Sequence, residues 1–254
     1  LGDSAAIICR RRENNSVRLG AGSSGDNVDG RPGEPLIGTM YEAVEVTKAH
    51  KPDRPDEKRR VEAAGGWLTE ERELFLGQMQ RMQLNDDAIF SSVEDVVQWV
   101  TIARVCGELA VSRSFGDPDF KGFSPTSHTQ PPEELFFPFP DGHNRSFKDD
   151  LVLAEPEVIK YDLRKGQDEF LVIASDGLWD VLKPQGVAEA ISRFQIRHAE
   201  RFVDARDSGE HAGGERALNL PPLNLEELSE DLTKLALRLG SADNITVVCV
   251  AFEY

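Results

Sequence analysis

Phe-Leu-Val-Ile-Ala-Ser-Asp-Gly-Leu-Trp-Asp-Val-Leu, at residues 170–182, is the stretch that decides the fold. Residues 170–174 are apolar on both faces and too few for an ordinary helix, which predicts a buried strand. A glycine turn follows, and it releases the carboxylate of Asp176 at the end of that strand. The stretch therefore predicts a rigid strand that ends in a carboxylate.

A second stretch, Gly-Ser-Ala-Asp-Asn-Ile-Thr-Val-Val-Cys-Val at residues 240–250, has a related pattern. The chain turns at Gly240 and places Asp243 just before an apolar strand over residues 245–252. Mg²⁺ and Mn²⁺ prefer oxygen ligands in a fixed geometry, which carboxylates at the ends of rigid strands provide. Carboxylates that converge without a cation repel one another. The two stretches together therefore predict a metal site.

At these residues the chain resembles the PPM-type (type 2C) metal-dependent serine/threonine protein phosphatases. Four further segments resemble landmarks of the family and follow in the family's order. They are Gly-Asp-Ser at 2–4, His-Lys-Pro through Ala-Ala-Gly-Gly at 50–66, Gly-Glu-Leu-Ala-Val-Ser-Arg-Ser-Phe-Gly-Asp at 107–117, and Glu-Pro-Glu-Val at 155–158. The resemblance spans nearly the whole chain, with three stretches that do not match.

Length and periodicity predict the fold class. A chain of 254 residues with 39% hydrophobic content is typical of one domain with one core. Strands in hairpins with long helices outside them predict an α+β protein in which helices pack on antiparallel sheets. The resemblance implies a four-layer α/β/β/α sandwich of two mainly antiparallel sheets. We expect the C-terminal portion of one PPM-type domain over residues 1–254, with insertions at about 11–38, 72–102 and 123–150.

The apolar pattern predicts the individual elements. A strand over residues 5–9 is expected to pair with one over residues 41–46, and helices are expected at 55–64, 184–198 and 224–239. Residues 74–100 have apolar positions at helical spacing, which predicts two short amphipathic helices. They fall where the family has its flap. They either shape substrate choice or pack on the core without contacting substrate.

Three local patterns allow more than one interpretation. The Arg run at residues 10–12 is interpreted as a solvated strand end rather than a phosphate-binding patch. Asp-Gly-His at 141–143 imitates part of the family's N-terminal metal motif, but Pro138 and Pro140 break any strand before it, which favours an accidental loop tripeptide. By resemblance Arg113 orients substrate or holds the flap; a structural salt bridge is the alternative.

The resemblance also implies the metal ligands. Asp176 and Asp243 correspond to ligands of the two ions that activate the attacking water, while Asp3 and Asp180, with Asp176, correspond to ligands of a third ion. The implied cofactors are two or three Mg²⁺ or Mn²⁺ ions per site. Attack by metal-activated water needs no covalent enzyme intermediate, so no catalytic nucleophile is expected. Taken singly, Asp180 could instead cap a following helix, and Asp243 could hold the turn before its strand.

One part of the family pattern has no counterpart in this sequence. In the family, the Asp of an Asp-Gly-His-Gly-Gly segment bridges two metal ions, and that segment, an upstream Glu-Asp and a phosphate-binding Arg precede Gly-Asp-Ser. We therefore expect an N-terminally truncated phosphatase, with the general acid and that Arg in the missing part. The alternative is a catalytically inactive phosphatase-like binding or regulatory module. Four retained carboxylates weigh against it.

Charge and cysteine content limit the possible binding partners and the cellular compartment. The 29 basic and 45 acidic residues give a net charge of −16, which argues against nucleic acid and anionic membrane surfaces as partners. The three cysteines form no Cys-x-x-Cys pair, which predicts reduced thiols in an intracellular protein, cytoplasmic or nuclear. No apolar stretch is long enough to span a bilayer. We expect a monomer that acts on phosphoprotein substrates.

Overall fold

The structure is a computed structural model, and it describes residues 1–12, 17–18, 37–38, 40–75, 98–128, 130–207 and 223–254. The strands, in chain order, are β1 (Ala5–Arg11), β2 (Val17–Arg18), β3 (Ile37–Gly38), β4 (Tyr41–Glu45), β5 (Leu68–Phe75), β6 (Gln98–Val105), β7 (Asp168–Ala174) and β8 (Val247–Ala251). The helices are α1 (Pro55–Ala63), α2 (Asp176–Trp179), α3 (Pro184–Asp207) and α4 (Leu225–Arg238), with a 3₁₀ turn at Pro118–Phe120. Helices combined with antiparallel strand pairs confirm the predicted α+β class.

The chain divides into two compact units. The first unit comprises Leu1–Ala5, Thr47–Lys160 and Arg238–Asp243, and the second comprises Ala6–Val46, Tyr161–Leu237 and Asn244–Tyr254. Each unit has a buried apolar cluster of its own. The single domain expected over residues 1–254 stays a prediction.

The second unit contains a four-stranded sheet in the order β4-β1-β7-β8. β1 and β4 pair antiparallel with Cys9 opposite Ala43, and β7 and β8 pair antiparallel with Val172 opposite Cys249. The predicted pairing of residues 5–9 with 41–46 is therefore confirmed. The two stretches that opened the sequence analysis provide adjacent strands, since β7 belongs to the first and β8 to the second.

Helices α3 and α4 cover one side of this sheet. The buried cluster they form with the strands is wholly apolar apart from the hydroxyl of Tyr41, and its largest members are Ile7, Tyr41, Phe170, Leu178, Ile191, Phe194, Leu228 and Leu232. The leucines of α4 recur at three- and four-residue spacing and place Leu228 and Leu232 in the core, as predicted. Asn224 caps α4, because its Oδ1 accepts hydrogen bonds from the amides of Glu226 (3.1 Å) and Glu227 (3.2 Å).

α3 also forms hydrogen bonds with the edge strand β4. The Tyr41 amide of edge strand β4 donates to Ser192 Oγ (3.1 Å), and the Ala43 amide donates to Gln185 Oε1 (3.1 Å). An unpaired strand edge is a template for pairing with another chain. Two polar side chains of α3 therefore remove donors that β4 would otherwise expose. α3 runs to Asp207, well beyond the predicted end at residue 198.

The first unit is built on α1 and the β5–β6 hairpin. Pro55 opens α1 and Gly65, with φ of +95°, follows its end, as the sequence predicts. The buried cluster of this unit joins α1 and β6 to the loops that follow them: Val61, Ala64, Val105, Cys106, Phe120, Phe137, Leu151 and Val152. Within the described part of residues 123–150 there is no helix or strand, which agrees with the proline content of that stretch.

The helices predicted over residues 74–100 are wrong at both ends of that stretch. Leu74 and Phe75 belong to β5, and residues 98–100 belong to β6, with Leu74 opposite Trp99; residues 76–97 lie outside the described residues. Cross-strand ion pairs support the hairpin, because Arg104 donates to Glu71 (2.9 Å) and Glu73 (2.7 Å). A charge-rich strand has little intrinsic β propensity, so pairing decides its conformation.

The interpretation of Arg10 as a solvated residue is also wrong. Its side chain is buried, and Nε donates to Asp168 Oδ1 at 2.7 Å. Burial raises the pKa of Asp168, but the hydrogen bond from Arg10 and the Arg164 amide outweigh it and hold the pKa below its usual value. Arg11 is half exposed and pairs with Glu169. The run therefore links β1 to the start of β7.

Among the described residues, none of the helices has the length and hydropathy to cross a membrane.

Replacing Leu232 with Ala tests the core that α3 and α4 form with the sheet. Leu232 is 1% exposed, so Leu232→Ala is expected to lower the free energy of unfolding by about 2–5 kcal/mol, measured by urea denaturation. Leu237→Ala on the same helix is the matched control, because Leu237 is 57% exposed. It should change stability by no more than about 0.5 kcal/mol. Equal effects of the two substitutions would contradict the assigned face of α4.

Candidate functional site

Asp176 lies where β7 becomes α2. The preceding Ser175 is still extended (φ −72°, ψ 167°), and Asp176 is the first residue of the helical turn, where its Oδ1 accepts a hydrogen bond from the Gly177 amide (3.0 Å). The amide of Asp180 donates to the Asp176 carbonyl at 2.8 Å. Because Asp180 ends this turn, the two carboxylates are four residues apart on one helical turn. Asp180 does not occupy the N-cap position of α3, which is Lys183.

Hydrogen bonds within the second unit join this turn to the segment that precedes β8. Ser175 Oγ donates to the Asn244 carbonyl (3.1 Å) and accepts from the Thr246 amide (3.1 Å), while the Ser175 amide donates to the Thr246 carbonyl (3.1 Å). Gly177 packs directly on Asn244, since a Cβ there would overlap its carbonyl oxygen and lie 3.1 Å from its carbonyl carbon. The Ser and Gly of the first stretch are therefore explained by this contact, in which Asn244 takes part through its backbone carbonyl.

Asp243 and Asp3 belong to the first unit. Asp243 is exposed and forms a bend immediately before Asn244 in the sequence. Asp3 follows Gly2, whose φ is +70°, and its carboxylate accepts a hydrogen bond from Lys51 Nζ at 2.6 Å. The Asp3 side chain is 19% exposed, so this ion pair is partly shielded from water. The sequence analysis did not identify Lys51 as its partner.

The four aspartates carry the oxygen donors that a hard-cation site needs. Carboxylate oxygens are the ligands that Mg²⁺ and Mn²⁺ prefer. Within the described part of the chain, however, no group of three or more His, Cys, Asp or Glu side chains is placed so that it could hold an ion. The ligand set Asp176, Asp243, Asp3 and Asp180 therefore stays a prediction.

A buried carboxylate that the sequence analysis missed lies at the centre of the first unit. Glu57, in the first turn of α1, is 1% exposed. Its Oε1 accepts hydrogen bonds from Arg113 Nε (2.9 Å) and Nη2 (2.5 Å), and its Oε2 accepts from Arg60 Nη2 (2.9 Å). Arg113 therefore forms the structural salt bridge that was the alternative to substrate contact. Burial raises the pKa of Glu57, but the hydrogen bonds from Arg113, Ser112 and Arg60 outweigh this and lower it.

The two arginines extend this network to backbone carbonyls. Arg60 donates to the carbonyls of Ser112 (2.9 Å), Asp150 (3.1 Å) and Leu151 (3.2 Å), and Arg113 Nη1 donates to that of Glu155 (3.1 Å). Further N–H groups of each guanidinium therefore donate to backbone carbonyls of loop residues. One carboxylate consequently fixes α1, the segment at 107–117 and the segment at 155–158.

His50 continues the network to the start of the chain. Ser112 donates from both its amide (2.8 Å) and its Oγ (2.9 Å) to the His50 carbonyl, and the His50 amide donates to the Gly2 carbonyl (2.8 Å). The imidazole is buried, and its pKa is lowered by that burial and by the charges of Arg113 and Arg54. All four segments that resemble the family's landmarks outside β7 and β8 therefore meet in this one network.

His143 has a packing role, as expected for an accidental tripeptide. Its Nε2 lies 2.8 Å from the Gly65 carbonyl oxygen, and its ring contacts Trp67 with centroids 5.0 Å apart and Phe139 at 5.2 Å. Residues 141–143 form a turn without a preceding strand. Their likeness to a metal motif is therefore a coincidence of three residues.

Comparison with known proteins identifies relatives of this chain. Residues 1–82 and 92–245 match the model of a family described as Protein phosphatase 2C. "Probable protein phosphatase 2C 8" of Oryza sativa subsp. japonica is 34% identical over 210 residues, and "Protein phosphatase 2C 16" of Arabidopsis thaliana is 31% identical over 209. Each alignment covers 82% of this chain, but the chain spans only 34% and 28% of those relatives.

A solved structure from Toxoplasma gondii is also similar. The "Crystal structure of a phosphatase from a pathogenic strain Toxoplasma gondii" aligns with all of this chain and 48% of its own, at 21% identity and a TM-score of 0.46.

Substitution of Gly177 tests the contact between the two stretches. Gly177→Ala places a Cβ against the Asn244 carbonyl and is expected to lower the free energy of unfolding by about 1–3 kcal/mol, measured by urea denaturation. Gly186→Ala in α3 is the control, because its new Cβ would meet only the flexible Leu182 Cδ2 at 3.3 Å. That change should be neutral or stabilising by up to about 1 kcal/mol. If Gly186→Ala lowered stability and Gly177→Ala did not, the contact between Gly177 and Asn244 would be contradicted.

Replacement of Glu57 tests the buried network and its pH dependence. At pH 7, Glu57→Gln is expected to cost about 3–5 kcal/mol of unfolding free energy, because both arginines lose their charged partner. The lowered pKa of Glu57 means that its contribution is present above its ordinary value of 4.5 and is lost as pH falls through the lower folded value. The difference between wild type and variant should therefore shrink on acidification below that value.

Glu62→Gln supplies the matched control for this experiment, since Glu62 is an exposed residue of the same helix. It should leave the unfolding free energy within about 0.5 kcal/mol of wild type at every pH. A Glu57→Gln variant as stable as Glu62→Gln at pH 7 would contradict the network.

Proposed function

Because this chain belongs to the protein phosphatase 2C family, we propose that the protein is a metal-dependent serine/threonine phosphatase. Its substrates are then phosphoserine and phosphothreonine side chains of phosphoproteins. The observation that carries the proposal is the family match over residues 1–82 and 92–245, which includes all four proposed aspartate ligands and every quoted segment except the end of the stretch at 240–250. A match of this extent depends on motifs in order rather than on a single short pattern.

The proposed chemistry rests on the four aspartates. We propose Asp176, Asp243, Asp3 and Asp180 as ligands of two or three Mg²⁺ or Mn²⁺ ions. Such ions, when bound, lower the pKa of a coordinated water and offset the charge of the phosphoryl oxygens. Ser175 and Gly177 hold the backbone on both sides of Asp176 against Asn244. Lys51 neutralises Asp3, so a cation at Asp3 has to compete with this ammonium.

The proposed activity requires one element that these residues do not provide. The 254 residues contain no Asp-Gly-His-Gly-Gly segment, and in the family the Asp of that segment bridges two metal ions. The described residues also contain no group of three metal-ligating side chains. The proposed two-ion chemistry therefore needs a bridging carboxylate that the four aspartates do not include. We accordingly expect the chain alone to have little activity.

A second candidate function follows from the same two observations. Without a bridging carboxylate, the protein would be a phosphatase-like module that binds phosphoproteins or a regulator and hydrolyses nothing. Against this stands the presence of all four aspartates, because a module that binds no metal has no chemical use for this set of carboxylates. Turnover distinguishes the two candidates.

The cysteines support an intracellular location, cytoplasmic or nuclear. Cys9, Cys106 and Cys249 are free thiols, two of them fully buried. Burial raises the pKa of Cys9 to about 12, helped by Cys249, and raises the pKa of Cys106 and of Cys249 to about 11. Thiols with raised pKa values are weak nucleophiles, and free cysteines are usual in a reducing compartment, where disulfides are rare. We propose a monomer, with phosphoproteins as its transient partners.

Hydrolysis of a phosphothreonine peptide tests the function. The protein expressed from its natural gene should turn over the peptide with Mn²⁺ or Mg²⁺ and stop when the metal is chelated. Asp176→Asn should lower the rate by about 100-fold or more, because a catalytic metal contributes several kcal/mol to the barrier. Asp231→Asn, at an exposed ion pair on α4, should leave the rate unchanged. Absence of turnover in folded protein would favour the binding module, and metal-independent turnover would contradict both candidates.

A further inference from the structure

A cavity lies on the first unit, away from all four aspartates in the sequence. Its volume is about 230 Å³, and its lining comes from three segments that follow one another along the chain: Glu108, the 3₁₀ turn residues Asp119 and Phe120, and residues 134–137. None of these residues has a part in the proposed chemistry. A cavity of about 150 Å³ suffices for benzene, whereas pockets for drug-sized ligands begin near about 300 Å³. The size therefore suits one large side chain.

The floor of the cavity is apolar and its edge carries an exposed ring. Phe120 and Phe137 are buried members of the core of this unit, with ring centroids 4.9 Å apart. Leu135 packs on the same core. Phe136, between them, is 83% exposed. Phe136 therefore gives the edge of the cavity an aromatic ring that is available for contact with a ligand.

Prolines hold the wall of this cavity in place. Residues 134–137 lie between Pro132 and Pro138, whose rings restrict the backbone. Pro138 in turn packs on Gly107, which has φ of +81° and where a Cβ would lie 2.9 Å from Pro138 Cγ. A wall that is fixed before binding loses little conformational entropy when a ligand enters. The cavity is therefore preformed.

The charged residues that line the cavity are all acidic, and the nearby Arg104 guanidinium donates to the backbone carbonyl of Glu108 (3.0 Å). Glu108, Asp119 and Glu134 contribute three exposed carboxylates to its lining. Among the described residues, no Lys, Arg or His side chain forms an ion pair with any of them. The three are not placed so that they could share a metal ion. Separated carboxylates around an apolar floor complement a ligand with separated cations around an apolar group.

We propose that this cavity is a docking site for a peptide segment of a partner protein, in which a large apolar side chain is flanked by Arg or Lys. The apolar side chain enters between Phe120, Leu135 and Phe136, and the flanking cations pair with the three carboxylates. Burial of the anchor supplies affinity, while the charges supply selectivity and rate of association. The proposal does not depend on hydrolysis, so it stands whichever of the two functions holds.

Binding of short labelled peptides to the full chain tests the site. The probe is fluorescein-Arg-Arg-Leu-Arg-Arg-amide, followed by fluorescence anisotropy at low and high salt. We expect saturable binding that weakens with salt, and at least tenfold weaker binding both when Ser replaces the central Leu and when Glu replaces the four Arg. Equal binding of the Ser peptide would overturn the proposal, since the cavity would then contribute nothing. Absence of binding at millimolar peptide would overturn it as well.

Matched variants separate the cavity from the general negative charge of −16. Glu134→Gln should weaken binding about 2- to 5-fold, whereas Glu133→Gln, an equal charge change at an exposed neighbour that does not line the cavity, should have no effect. Phe136→Ser should weaken binding at least about fivefold, and Phe115→Ser, at an equally exposed ring (84%), should not. Equal losses within either pair would overturn the proposal. All four positions are exposed, so these variants are expected to fold.

Discussion

The carboxylate of Glu57 imposes the constraint on which the first unit depends. A charge that is 1% exposed must be neutralised and hydrogen-bonded, or it costs several kcal/mol. Arg113 and Arg60 meet this requirement, and their remaining donors bind the carbonyls of loops that have no regular secondary structure of their own. One buried charge thereby orders segments that are far apart in the sequence. Motif residues of this unit such as Arg113 and Ser112 are thus explained by folding rather than by chemistry.

The carboxylates proposed for chemistry are positioned by a second principle. Asp176 is fixed by hydrogen bonds between backbone and Ser175 at the end of a buried strand, while Asp3 is held by the ammonium of Lys51. Backbone hydrogen bonds fix the position of the main chain that carries Asp176. The Lys51 ammonium at Asp3, in contrast, is a partner that another cation can replace. This division suits a metal site in which some ligands are rigid and others become available. The close approach of the Asn244 carbonyl also explains why Gly follows Asp176.

Several elements could be predicted from the sequence because local pattern and tertiary context agree in them. β7, β8, α1 and the cap of α4 follow from apolar runs, an N-terminal proline and Asn224. The β5–β6 hairpin could not, because β5 is charge-rich and cross-strand partners such as Arg104 and Glu71 decide its conformation.

The burial of two charged side chains could not be predicted from the sequence, for a related reason. Arg10 and Glu57 have the sequence context of exposed residues, and only their partners Asp168 and Arg113 reveal that they are inside. Burial of an ion pair depends on contacts between residues more than fifty positions apart. The composition of a short window carries no trace of such a contact. The assembly of the proposed metal ligands is a tertiary property of the same kind, and motifs alone propose their identity.

A double-mutant cycle between Glu57 and Arg113 tests the central claim, that one buried ion pair holds the family segments of the first unit together. Unfolding free energies of wild type, Glu57→Gln, Arg113→Met and the double variant give the coupling energy, with Glu62→Gln replacing Glu57→Gln in a parallel control cycle. A coupling of about 1–3 kcal/mol for Glu57 and Arg113, with none for Glu62 and Arg113, is the expected result. Additive effects of Glu57→Gln and Arg113→Met would contradict the claim.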